Sequence, residues 1–220
     1  MLPTRALQAV LPTLPRISLR GPWYRAVNYD HVTGPPPGAP AHSAVQPLWP
    51  GGAARKGARF TPRVVAAGLP GAASGIECLY LAADELTPLL EVTGVFRPPG
   101  SPVALLFEPQ VLMTIDGALT DILDLTDPAT QTALGTTPKE LTAPWLIQQA
   151  KHVAGQGPAP ATQVLGHEAF GSGSIVGLRY SSSKNPKGFG VVVFTTRLTL
   201  TRHSLKVFNA RGGALQQSLP

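Results

Sequence analysis

Gly177-Leu178-Arg179-Tyr180-Ser181-Ser182-Ser183-Lys184, running on to Gly190-Val191-Val192-Val193-Phe194, reads as an apolar strand, a loop of small, polar and basic residues, and a second apolar strand. Two strands in succession, with no helix between them, break the alternation that a doubly wound sheet requires. Upstream, residues 77–82 form a further short apolar strand, and Asp84 stands where it can cap a helix over 85–93, with Pro88 tolerated in the first turn. Helices are also expected over 4–11, stopped by Pro12; from Asp127-Pro128; over 138–153 with an interruption near Pro144; and over 162–170, ended by Gly171. Further strands are expected at 23–27, 103–107, 111–115 and 119–125, with edge strands at 198–200 and 205–208. Mixed β-sheets flanked by helices, an α+β fold, follow from this order.

The 220 residues suit one domain, read as an N-terminal lead-in over 1–20 followed by a domain over 21–220. With 24 prolines and 23 glycines the chain is rich in turns, most of all between Asn28 and Gly57, where no apolar periodicity is visible. Cys78 is the lone cysteine, which excludes an intramolecular disulfide and a cysteine-based zinc site and reads as a small buried hydrophobe. Apolar stretches are broken by Glu108, Pro109 and Asp116 well short of the ~20 residues of a membrane span, and 7–14 lacks a signal-peptide cleavage site. A cytoplasmic protein is expected.

The formal charge of +6 favours anionic partners. Basic residues gather at Arg55, Lys56, Arg59 and Arg63 and again at Arg197, Arg202, Lys206 and Arg211, while Asp116, Asp121, Asp124 and Asp127 oppose them. Aromatic residues are not interleaved with the basic ones, which argues against a single-strand nucleic-acid groove. A phosphate-bearing small molecule or an acidic protein explains the charge as well.

Some apparent motifs fail on spacing. Gly171-Ser172-Gly173-Ser174-Ile175-Val176-Gly177 precedes a strand instead of joining a strand to a helix, so it is no dinucleotide fingerprint. Ser181-Ser182-Ser183-Lys184 lacks the helix start and companion motifs of the penicillin-binding enzymes. The histidines at 31, 42, 152, 167 and 203 are dispersed, with no metal-binding pair, and the four aspartates lack the glycine and glutamate of a calcium loop.

What remains is a set of charged and polar residues in apolar or Gly-rich settings. Arg59, in Gly57-Ala58-Arg59-Phe60-Thr61-Pro62, can grip a pyrophosphate bidentately or, more plainly, lie on the surface beside a buried phenylalanine. Arg25, in the apolar strand around Tyr24-Arg25-Ala26-Val27, requires a carboxylate or a ligand phosphate as partner. Glu91, within Leu89-Leu90-Glu91-Val92, can bind a ribose hydroxyl and stabilise positive charge at an anomeric carbon, or form an ion pair with Arg25 or Arg59. Ser182, before Lys184 and Lys187, offers a hydroxyl for phosphate or ribose, or simply makes a turn.

The order of these pieces, Tyr24-Arg25, the 57–62 loop, Leu79-Tyr80-Leu81-Ala82 with Glu91 a helix later, and 177–184 followed by a Val-Val-Phe strand, resembles the RES domain family over 23–194. That family takes its name from an arginine, a glutamate and a serine, which correspond to Arg25, Glu91 and Ser182. The resemblance implies a fold like ADP-ribosyltransferases and a bacterial toxin that cleaves NAD at the nicotinamide-ribose bond by hydrolysis or phosphorolysis, with growth arrest as the result. Arg59 then corresponds to the pyrophosphate position and Tyr80 to nicotinamide-side packing. NAD is substrate, inorganic phosphate a candidate co-substrate, no cofactor or metal is required, and an Xre-type antitoxin is the expected partner. Transfer of ADP-ribose to a protein, or a non-catalytic binding domain, are the alternatives. The chain departs from the family pattern at Ala58, Thr61 and Ser181.

Overall fold

In the computed structural model the described residues are 1–29, 32, 47–63, 75–92, 95–96, 104–105, 109–207 and 217–220. Helix α1 (Thr4–Val10) passes into a tight 3-10 turn at Leu11–Thr13 because Pro12 cannot continue an α-helical ladder but fits the first positions of a new turn. Strands β1 (Ile17–Arg20) and β2 (Trp23–Asn28) follow, then helix α2 (Gly51–Lys56), strand β3 (Cys78–Ala82) and helix α3 (Leu86–Val92). The two-residue strands β4 (Val95–Phe96) and β5 (Ala104–Leu105) pair with each other, and β6 runs from Gln110 to Asp124.

Four helices come next: α4 (Pro128–Ala133), α5 (Pro138–Thr142), α6 (Leu146–Val153) and α7 (Ala161–Gly171). Asp127 caps α4 as its sequence predicts, accepting from the amides of Ala129 and Thr130. Strands β7 (Gly177–Ser181) and β8 (Phe189–Phe194) form the hairpin expected from 177–194, and β9 (Ser204–Val207) and β10 (Gln217–Leu219) complete the sheet.

Among the described residues the main sheet has the order β10-β9-β6-β2-β3-β8-β7, with β1 also on β6. The far end of β6 pairs in parallel with β7, Ile122 opposite Gly177 and Asp124 opposite Arg179, so the path β6-β2-β3-β8-β7 closes on itself. Both faces of β3 and β8 are buried, which is why their sequences read as continuous apolar runs. Cys78, Val192 and Phe194 join one cluster with Phe60, Leu165 and Leu178, whereas Leu79, Leu81, Val191 and Val193 join the other with Ile115, Leu119 and Ile122.

Several expectations change. The strands expected at 111–115 and 119–125 are one continuous β6, because Gly117 does not break the strand: a Cβ there would collide with the Ser204 carbonyl of β9. The helix expected over 138–153 is two helices parted at Pro144, and no strand forms at 198–200, where a 3-10 turn at Thr195–Arg197 precedes extended backbone and a turn. Helix α2 and strand β1 were not expected. Most of the strand expected at 103–107, residue 93 of the third helix and residue 208 of the last edge strand lie outside the described residues, as do His31, His42 and Arg211.

Candidate active site

The period of two along β3 sends Cys78, Tyr80 and Ala82 to one face of the sheet, where they line a cavity of about 170 Å³. Arg25 of β2, Tyr180 of β7 and Gly190 of β8 extend the same wall. Helix α3 lies across it and contributes Thr87, Pro88, Glu91 and Val92, residues one turn apart on a single helical face. Asp84 fixes the start of that helix, its two oxygens accepting from the Thr87 amide at 2.8 Å and the Thr87 hydroxyl at 2.6 Å. The volume is close to the roughly 150 Å³ that holds a benzene ring.

Among the described residues Arg25 meets no carboxylate and forms no ion pair. Its guanidinium donates to the carbonyl of Pro47 at 2.7 Å and to that of Trp49 at 3.1 Å. Burial pulls its pKa down to about 10, with Cys78 acting in the opposite direction, so the group stays cationic at neutral pH. Two of the five guanidinium N–H groups are thereby engaged in aiming the fork, and the side chain still faces the cavity.

Glu91 is paired with Ser182, whose hydroxyl donates to Glu91 Oε1 at 2.5 Å. No ion pair links Glu91 to Arg25 or Arg59, the structural alternative raised by the sequence. Ser182 Oγ in turn accepts from the amides of Lys184 at 3.1 Å and Asn185 at 3.0 Å, so the serine makes a turn and holds the glutamate with the same atom. That uses the one donor and both lone pairs of the hydroxyl. The second carboxylate oxygen of Glu91 has no such clamp from the serine.

Tyr80 and Arg59 are drawn together by the 57–62 loop. The Tyr80 hydroxyl accepts from the Phe60 amide at 3.0 Å and shares a hydrogen with Thr61 Oγ1 at 3.0 Å, and Thr61 also reaches Cys78 Sγ at 2.9 Å. Arg59 is buried behind this layer, donating to the carbonyls of Leu141 and Ala143 at 3.0 and 2.9 Å and to Ser183 Oγ at 2.7 Å. It does not line the cavity. The loop is itself clamped by amide side chains: Gln163 donates to the Ala58 carbonyl and to Gln149, and Gln149 donates to the Lys56 carbonyl.

Tyr180 was not singled out by its sequence. Its ring stands between Phe60 and Tyr80, with centroids 4.9 and 6.3 Å away. Burial, then the charge of Glu91, raises its pKa, with Arg59 opposing, so its phenol is neutral. The signal was Gly190, directly across the ladder from Tyr180: a Cβ there would stand 2.6 Å from the Tyr180 ring and hydroxyl. Burial also pushes the Cys78 thiol up to about 12, with Thr61 and Arg25 pulling the other way. Cys78 is buried as expected, yet it borders the cavity. Among the described residues no group of three or more His, Cys, Asp and Glu could hold a metal ion, and no helix is long and apolar enough to cross a membrane.

The family model for the RES domain matches residues 23–207. A chain from the crystal structure of the M. tuberculosis MbcT-MbcA toxin-antitoxin complex has the same fold, with a TM-score of 0.55 and 18% identity over 97% of this chain and 91% of that one. No curated protein matches in sequence.

Proposed function

We propose, from the premise that the chain belongs to the RES domain family, that it is a toxin-like enzyme that cleaves NAD between nicotinamide and ribose. The observation that carries this reading is the placing of Arg25 and Glu91 on one ring-sized cavity, with Glu91 fixed by Ser182 at 2.5 Å. Nicotinamide would enter between Tyr80, Tyr180 and helix α3. The bond from its ring nitrogen to C1′ breaks, the electron pair goes to the nitrogen and neutralises the pyridinium, and nicotinamide leaves without needing a proton. Positive charge then develops on the ribose, where the Glu91 carboxylate stabilises it and its other oxygen accepts from a ribose hydroxyl. The oxygen of water or inorganic phosphate adds to C1′, and its proton passes to solvent.

Arg25 faces the pyrophosphate side with the N–H groups that Pro47 and Trp49 leave over. Ser182 acts through Glu91, since its own hydrogen-bonding capacity is filled. Arg59 reaches the pyrophosphate only by releasing Ser183, the one side-chain partner among its three contacts. Depletion of NAD would arrest growth, and an antitoxin, of the Xre type in this reading, would restrain the enzyme. Support for that partnership comes from the fold shared with the M. tuberculosis toxin-antitoxin complex.

Incubation of the purified protein with NAD, with and without phosphate, tests the reading through nicotinamide release. Free ADP-ribose would identify water as acceptor, its 1″-phosphate would identify phosphate, and a labelled protein would identify transfer. Unchanged NAD after long incubation at high enzyme concentration overturns it.

A further inference from the structure

We infer that Thr87 and Asn185 are positioning residues that lock the helix carrying Glu91 onto the loop carrying Ser182, an inference that rests on the proposed cleavage of NAD. Thr87 and Glu91 are one turn apart on α3, both on its cavity face. Thr87 is buried, and the Asn185 side-chain amide donates to its hydroxyl oxygen at 2.9 Å. The direction of that bond is fixed: the Thr87 hydroxyl gives its proton to Asp84 Oδ2 at 2.6 Å, so toward residue 185 it can only accept.

Asn185 meets the loop from its other side. Its backbone amide donates to Ser182 Oγ at 3.0 Å, and its carbonyl accepts from the Gly188 amide at 2.9 Å, while Gly188 returns the turn to the Ser182 amide at 3.0 Å. A Cβ at Gly188 would collide with Thr87 Oγ1 and stand 2.7 Å from Asn185 Nδ2, so the loop backbone is seated directly against the threonine. Asp84, Thr87, Asn185 and Ser182 thus form one hydrogen-bonded chain that ends where it matters, at the 2.5 Å contact with Glu91. A carboxylate whose task is to meet charge that exists only in the transition state is sensitive to displacements too small to alter substrate binding.

The test is steady-state NAD cleavage by Thr87→Val, Thr87→Ser, Asn185→Ala and Asn185→Asp beside the wild type. Thr87→Val and both Asn185 variants are expected to lower kcat tenfold or more with KM within about twofold, since they misplace the carboxylate of Glu91 that meets charge developing only in the transition state. Thr87→Ser keeps the hydroxyl and recovers most of the rate lost in Thr87→Val. Asn185→Asp cannot donate to Thr87 and behaves no better than Asn185→Ala. Should Thr87→Val fail to fold, the loop variants carry the same comparison. Full activity in Asn185→Ala and Asn185→Asp, or a fall confined to KM, overturns the inference while leaving NAD cleavage standing. A wild type that releases no nicotinamide overturns both.

Discussion

At the residue scale the candidate site is a matter of how few hydrogen-bonding atoms are left over. Ser182 Oγ satisfies two amides and one carboxylate oxygen. Ser182→Ala therefore strips three groups at once, and a loss of about 1–3 kcal/mol in urea unfolding is expected for the buried acceptor and donors left unpaired. The rate of nicotinamide release should fall about a hundredfold in the same variant, because Glu91 loses the contact that aims it. Glu91 was legible in the sequence as a carboxylate in apolar surroundings and Ser182 as a hydroxyl in a polar loop just beyond an apolar strand, but their mutual bond was not, since it spans 91 positions of chain. The carbonyl partners of Arg25 were equally hidden, because backbone acceptors leave no trace in residue identity.

Cys78 gives a pH-dependent expectation at the same scale. Its thiol is raised from 9.0 to about 12, so the folded protein favours the protonated form. The associated stability is complete below the unfolded value of 9.0 and is lost as pH rises toward about 12. Because the thiolate is the reacting form, alkylation of native protein by iodoacetamide should rise about tenfold per pH unit between pH 7 and pH 9 yet stay on the order of a hundredfold or more below the urea-unfolded chain. A native rate that levels off within that range, or that matches the unfolded chain, would contradict the protonated, buried thiol.

At the scale of elements, contacts across the fold decide what a glycine means. Gly117 looks like a break between two strands and is instead a point where the paired strand β9 packs close against β6. Gly166 plays the same part for α7, since a Cβ there would strike the Phe60 carbonyl in the loop that carries Arg59. Gly166→Ala is expected to lose about 1–3 kcal/mol by overpacking, with the helix forced away from the 57–62 loop. Guanidinium unfolding measures it, and an unchanged midpoint would mean that the helix and loop can part without loss. Helix α2 escaped a reading by periodicity because glycines and alanines carry little amphipathic signal. It is set by its ends: Gly57, at φ 77, closes onto the Ala53 carbonyl, and Arg55 lies over the Trp49 ring. β1 was missed for another reason, its pairing with the distant β6. The α7 helix was legible as a run ended by Gly171, and the β7–β8 hairpin as two apolar strands about a polar loop.

At the scale of the molecule, the cavity draws its walls from β2, α2, β3, α3, β7 and β8, elements far apart in the chain and joined through one closed sheet path. A ligand that binds this cavity touches the whole folding unit, so its free energy of binding should appear in global unfolding and not in the melting of one segment. The Glu91→Gln variant separates binding from turnover, because it keeps the side-chain volume and one hydrogen-bonding oxygen for Ser182. At a hundred times its Kd, NAD should stabilise that variant by about 2.7 kcal/mol, which for a chain of this size is a rise in Tm of roughly 5–11 °C. The transition should shift as a single cooperative step in calorimetry and in near-ultraviolet circular dichroism alike. Adding Arg25→Ala to the same background should remove most of the shift, whereas Lys151→Ala, an exposed residue of α6 outside the cavity wall, should preserve it. A shift that survives loss of Arg25 would put the bound phosphates elsewhere on the +6 surface and detach the charge of the molecule from the cavity.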